Sequence, residues 1–396
     1  MILHKAMRCV AALSLAAGVA GAASAQALDF LNTEANRIMM NGDDWSGLAN
    51  ELAGLELLPD SKFQILQIGD SHIQAGHIPA VVRRTLQGIY GNGGRGLVAA
   101  LKLVGTNEPG DYRLTADATP SASCRLLNKK WPVTMGVTGV SAMFAKPERE
   151  ITVSVVPECG GFCSVTLLHA KGGGYLPATV NGQAVAGEHV TPYATCYALD
   201  GVADSVIVST SVESPIFGAY LLNPGPGVVV NAIGNNGACY SDYLCVPDFA
   251  EQTKIFNPSL IILSMGTNEA FSSMTVDSIC SSIDSLVTML RQAHPGAKFL
   301  LTTPMECHKK TGGGKNRRFV VNARVKEVRD LILRYGEENG VPVWDLYEVA
   351  GGDGAANQWI VNGLMNKRDH VHCLLPGYEL QGSLLVDALI ECFERQ

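Results

Sequence analysis

The chain has 396 residues, 47% of them hydrophobic and 17% charged, too apolar and too low in charge to remain disordered. That length suits two domains, or one large domain carrying an insertion. The formal charge of −7, with no long Lys/Arg run, argues against a nucleic-acid binder and against polyanionic partners.

At the start, Lys5 and Arg8 precede an apolar stretch from Cys9 to about Ala22, followed by Ala23-Ser24-Ala25. Basic, apolar, then small is the order of a secretory signal peptide, here residues 1–25, cut before Gln26. The alternative is a buried N-terminal helix. The apolar run is shorter than the roughly 20 residues a bilayer span needs, and no later stretch is long enough. The mature protein is therefore expected in the periplasm or outside the cell. Ten of the 11 cysteines remain in a compartment that permits disulfides. Cys159 with Cys163 is the favoured pair, against two free buried thiols. No second Cys or His pair completes a zinc pattern.

Phe63–Ile68 reads as a short strand ended by Gly69-Asp70-Ser71-His72, and Ile78–Ile89 as an amphipathic helix. From about Gly105 to Asn223 the texture changes. Ile151–Val155 and Asp204–Thr210 alternate apolar with polar residues, and Ala178–Val185 carries an Asn181-Gly182 hairpin turn. This stretch predicts an all-β insertion, a sandwich, in which Trp131, Tyr175 and Tyr193 either line a sugar surface or fill the core. The α/β pattern then resumes with strands at Val228–Ile233, Leu260–Met265, Lys298–Thr302 and Val341–Leu346. Helices at Val276–Ala293 and Asn322–Tyr335 separate the later ones. Five apolar strands alternating with helices predict a parallel sheet covered on both faces. The Gly-rich stretches at 91–96, 172–174 and 312–315 lack the strand-to-helix setting that cradles phosphate.

Ligands of open parallel sheets bind at the carboxyl ends of the strands, and three segments there carry chemistry. Ser71 stands where a strand gives way to a helix, and a serine hydroxyl needs a base within hydrogen-bond reach. Near the C-terminus, Asp369 and His372 are three residues apart, which on one turn sets a carboxylate beside an imidazole. A solvated Asp-His turn is the plain alternative, and His370 is the rival base. Donors for an oxyanion are the N–H groups of Ser71 and Gly237 and the side-chain amide of Asn268. Alternatively, Gly237 is a turn residue and Asn268 a helix N-cap.

These residues resemble the SGNH hydrolases, also called the GDSL esterase and lipase family. Ser71, Gly237, Asn268 and His372 match its four named residues in order, and Asp369 and His372 supply the last block, D-x-x-H. The resemblance covers about residues 60–104 and 226–396. Two positions depart from it: His72 replaces the usual Leu, and Glu269 stands where Asp is frequent. The resemblance implies a three-layer α/β/α core with a five-stranded parallel sheet over 26–104 and 226–396, interrupted by a β-sandwich at 105–225. It implies a serine esterase with a Ser71–His372–Asp369 triad, an oxyanion hole from Ser71, Gly237 and Asn268, and no metal or organic cofactor. An exported member with such an insert is similar to bacterial peptidoglycan O-acetylesterases, whose inserted domain resembles a carbohydrate-binding module. The expected partner is an acetylated glycan, peptidoglycan first, with acetylated plant or capsular polysaccharide second. Acyl transfer between glycans and noncatalytic glycan binding are the competing functions. Oligomeric state is left open.

Overall fold

The structure, a computed structural model, describes residues 28–146, 148–172, 178–211, 214–316 and 318–395. The expected signal peptide and Tyr175 lie outside the described residues.

Five strands form the parallel sheet. Its spatial order is Val343–Trp344, Lys298–Thr302, Leu260–Ser264, Lys62–Gly69, Gly227–Gly234. The sixth, Ile38–Met39, adds antiparallel at the Val343–Trp344 edge; a two-residue strand has no periodicity to betray it. Alternate residues serve opposite faces. Leu66, Ile68, Val229, Ile261 and Leu263 pack under helices Val276–Ala293 and Arg324–Asn339. Phe63, Ile65, Val228, Val230 and Ile262 pack under helices His77–Tyr90 and Leu375–Arg395. The result is three layers. The expected strand at 341–346 shrinks to Val343–Trp344 because Leu346 already starts a short helix, Leu346–Val349.

The first strand in the chain, among the parallel five, lies between the second and the third. Connections therefore leave in opposite directions at that point, opening the switch-point crevice at its carboxyl end.

The segment between the first two parallel strands is all-β. One sheet holds Tyr112–Ala116, Glu148–Val155, Ser205–Ser211, Ala178–Val180 and Gln183–Val185. The other includes Phe162–His169, Ala194–Ala203 and Ile216–Leu222. Leu114, Ile151 and Val153 of one meet Val165, Leu167, Tyr197 and Leu221 of the other in a shared core. Gly96–Ala99, upstream of residue 105, pairs with Ile216–Leu222. The Asn181-Gly182 turn has φ of 49° and 82°, the left-handed pair that a tight hairpin needs. The outer side of the second sheet is also apolar: Leu168, Phe217 and Tyr220 join the core beneath the parallel sheet.

A buried ion group ties the two parts. Asp111, in the hinge before the β segment, is paired with Arg83 and, at 2.9 Å, with Arg95. Burial would raise its carboxyl, but the two guanidiniums hold it down at about 2. The Cys159–Cys163 disulfide is not formed. All ten cysteines among the described residues are free, and the buried Cys159 thiol is turned toward the Asp111 carbonyl, 3.8 Å away. Gly160 and Gly161, both at positive φ, curl the chain between the two thiols. Among the described residues no helix is long and apolar enough to cross a membrane.

Candidate functional site

The strand Lys62–Gly69 runs buried to Gly69, where a Cβ would meet Ser264 O at 2.6 Å and Ile73 Cγ1 at 2.3 Å. Only glycine lets the chain turn there. Asp70 caps the short helix Ser71–Gln74, its Oδ1 accepting from the His72 N–H at 2.9 Å. Ser71 is the first residue of that helix, so no helical carbonyl can reach its N–H.

The partner arrives from the loop before the last helix. Asp369 Oδ1 accepts from the N–H groups of Val371 (2.9 Å) and His372 (3.1 Å), and its Oδ2 accepts from His372 Nδ1 at 3.1 Å. With Nδ1 donating, Nε2 is the acceptor, and it lies 2.8 Å from Ser71 Oγ. Burial would lift the Asp369 carboxyl, but those backbone N–H groups and the imidazole hold it below its ordinary value. The His372 and Asp369 side chains remain 43% and 36% exposed, so the pair lies open to solvent. His370 takes no part. Its φ is +60°, its ring stacks on Phe319 at 3.7 Å, and its Nδ1 is 2.9 Å from His308 Nδ1.

Gly237 follows the strand Gly227–Gly234 at φ +86°, a conformation that favours glycine. Its N–H has no acceptor among the described residues. The loop is held by Gln74, whose Oε1 accepts from the Asn236 N–H at 2.7 Å. Gln74 Nε2 donates to Thr106 Oγ1, Asn107 O and Asn107 Oδ1 at 2.9–3.1 Å. Sequence reasoning missed Gln74, because its partners sit in two segments distant in sequence, 106–107 and 236.

Asn268 differs from its expected state as a ready donor. It begins no cap; it lies inside the short helix Thr267–Phe271. Its Nδ2 donates to Ala238 O at 3.0 Å and to Asp70 Oδ2 at 3.3 Å. Both amide protons are thus engaged in the free protein. Asp70 is 1% exposed, and its burial raises the carboxyl to about 7 against the His72 N–H and the His372 charge. Glu269 is raised by burial to about 7 as well, while its Oε1 accepts from the Tyr240 N–H at 2.8 Å. His72 Nδ1 lies 3.1 Å from Tyr378 Oη, within hydrogen-bond distance. Burial, then the neighbouring His372, lower it to about 3, so its ring is neutral at ordinary pH.

The β segment also reaches the site. A Cβ built on Gly237 would lie 3.8 Å from Leu127 Cγ, and Asn235 Nδ2 donates to Thr138 O at 3.2 Å. Trp131 packs partly buried, with Nε1 donating to Leu126 O at 3.3 Å. Tyr193 is 6% exposed and donates to Asp248 Oδ2 at 2.7 Å, so it fills the core. Among the described residues, no three His, Cys, Asp or Glu side chains gather as a metal would require.

Residues 205–380 match the model of the GDSL-like Lipase/Acylhydrolase family; Ser71 lies upstream of that stretch. Among solved structures, a peptidoglycan O-acetylesterase superposes with a TM-score of 0.77 at 23% identity, over 91% of this chain and 99% of its own. A lipase/acylhydrolase from Enterococcus faecalis is 23% identical over 43% of this chain and 77% of its own, with a TM-score of 0.32. The acetyl xylan esterase AlAXEase is 17% identical over 41% and 80%, with a TM-score of 0.31. No curated protein sequence matches. The protein has the SGNH hydrolase fold. Over residues 205–380 it is similar to the GDSL-like lipase/acylhydrolase family.

Proposed function

We propose that the protein is an exported serine esterase that removes O-acetyl groups from a glycan, peptidoglycan before plant or capsular polysaccharide. One observation carries the reading: Ser71 Oγ lies 2.8 Å from His372 Nε2, and His372 Nδ1 lies 3.1 Å from Asp369. Ser71 Oγ attacks the acetyl carbonyl while its proton passes to His372 Nε2. Asp369 fixes the tautomer and stabilises the imidazolium. The N–H groups of Ser71 and Gly237 hold the oxyanion. Asn268 joins them by exchanging its longer bond, to Asp70, for one to the oxyanion while keeping Ala238 O. The bond to the sugar oxygen then breaks, His372 returning the proton to that oxygen. Water attacks the acyl-Ser71, giving its proton to His372; the bond from the acyl carbon to Oγ then breaks, His372 returns the proton to Ser71 Oγ, and acetate leaves.

The substrate half is supported by the signal-peptide pattern of residues 1–25, by the all-β segment at 105–225 beside the crevice, and by the peptidoglycan O-acetylesterase that shares the fold. The open triad suits a polymer. The experiment is acetate release from O-acetylated peptidoglycan, acetylated xylan and a small chromogenic acetate ester, with Ser71→Ala as control. Release from peptidoglycan that falls about 10⁴-fold in the variant is the expected result. Equal release by a folded Ser71→Ala protein would sink the scheme, and activity on the small ester alone would remove the glycan.

A further inference from the structure

The net charge of −7 hides a local reversal. Ten of the 30 Lys and Arg residues fall in three short segments, 124–131, 308–318 and 366–368, which contain no Asp or Glu. The described parts of all three adjoin residues of the site. Segment 124–131 carries Leu127, the neighbour of Gly237. Segment 366–368 leads directly into Asp369 and His372. The hairpin His308–Thr311 with Arg318–Val321 is joined to that loop, the His308 N–H donating to His370 O at 3.0 Å. Arg125, Lys129 and Lys130 therefore stand on the Gly237 side of the nucleophile, and Lys309, Lys310, Arg318, Lys367 and Arg368 on the His372 side.

All eight are exposed, and none forms an ion pair among the described residues. Several cations elsewhere are paired, among them Lys326 with Asp353, Lys254 with Glu251, Arg329 with Asp345, and Lys298 with Asp43. Asp369, the acid next to Arg368 in sequence, is already engaged by His372. Like charges gathered without counter-charges repel one another, and the repulsion is relieved when an anion lies between them. A ligand touching both rims must cross Ser71, so it is the polymer bearing the ester.

We infer that this esterase acts on an anionic glycan, one whose carboxylates flank the acetylated sugar and are held by the basic rims on both sides of Ser71. The inference rests on the esterase reading and narrows its substrate. Net charge alone argued against polyanions; the exposed side chains of these three segments carry the opposite sign from the whole. Nucleic acid is the less apt polyanion, since it offers no acetyl ester to the serine between the rims.

The test measures binding of the Ser71→Ala protein to O-acetylated peptidoglycan before and after its carboxylates are converted to amides, at about 20 and about 200 mM salt. Amidation or the higher salt should each weaken binding on the order of tenfold. Lys309→Glu with Lys310→Glu should weaken binding to the native polymer and leave the amidated polymer unaffected. Lys129→Glu with Lys130→Glu, on the other rim, gives the same readout should the hairpin variant unfold. Equal binding of native and amidated polymer at both salts would overturn the inference, as would acetylated xylan binding as tightly, or duplex DNA competing as well. Preference for acetylated polygalacturonate over peptidoglycan would assign the carboxylates to uronic acid; the reverse would assign them to lactyl and peptide groups. If the wild-type protein releases no acetate from any ester while charge-dependent binding persists, the esterase reading falls and the anionic-glycan surface stands.

Discussion

Replacing Asp70 with Asn should remove one titrating carboxyl from the pH dependence of stability. Asp70 is 1% exposed, and burial raises its carboxyl from 3.8 to about 7. A proton held that much more tightly in the folded chain contributes stability that is complete below the unfolded value and lost as pH rises to the folded one. Over that window the loss is about 4 kcal/mol, at roughly 1.4 kcal/mol per pH unit. Asn cannot titrate. With one acceptor oxygen, it can satisfy either the His72 N–H or the Asn268 amide but not both, a cost of about 1 kcal/mol. The two proteins should therefore be nearly equal in stability near pH 5, with Asp70→Asn ahead by about 3 kcal/mol near pH 7.5. Glu269 titrates in the same window and is present in both, so only the part of its shift that comes from the Asp70 charge enters the difference; burial is the larger cause. Equilibrium urea unfolding at the two pH values, followed by tryptophan fluorescence, measures it. A difference that moves by less than about 1 kcal/mol between them would refute the raised carboxyl.

Asn268→Ala should lower kcat by about 10² to 10³ with little change in KM, since the oxyanion forms only in the transition state; a normal kcat would leave Asn268 as a brace for Ala238 and Asp70. His372→Ala should abolish acetate release from a small ester, whereas His370→Ala should retain most of it, because that ring is engaged by Phe319 and His308; the reverse order would reassign the base. Asp111→Ala should destabilise the protein by about 3–5 kcal/mol, since Arg83 and Arg95 would be left buried without their counter-charge; a thermal melt within a degree of wild type would contradict it.

Most of the crevice was legible because its chemistry sits at strand ends marked by local sequence. Asp369 and His372 are neighbours on one turn, and the Phe63–Ile68 and Leu260–Met265 runs could be little other than buried strands. What escaped depends on contacts distant in sequence. The engagement of Asn268 involves the carbonyl of Ala238, a backbone group that no pattern announces. Helix Leu375–Arg395 opens with Leu-Pro-Gly, which reads as a turn; Gly377 is there because a Cβ would meet Leu364 O at 2.2 Å. Gly96–Ala99 is short enough to pass for a loop, and only its pairing with Ile216–Leu222 reveals its sheet. The expected disulfide failed for a related reason, since spacing says how close two cysteines are along the chain and nothing of where their thiols turn.

Gln74 bears on whether the β segment is a removable module. Its side chain binds the Ser71–Gln74 helix to Asn236 on one side and to Thr106 and Asn107, at the root of the insertion, on the other. Excising residues 105–225 would strip that amide of its acceptors, leave Arg83 and Arg95 without Asp111, and uncover Leu97 and Tyr240, which share a core with Phe217 and Tyr220. The insertion has become part of the hydrolase's own foundation, so trimming it away would yield not a smaller enzyme but an unfinished one.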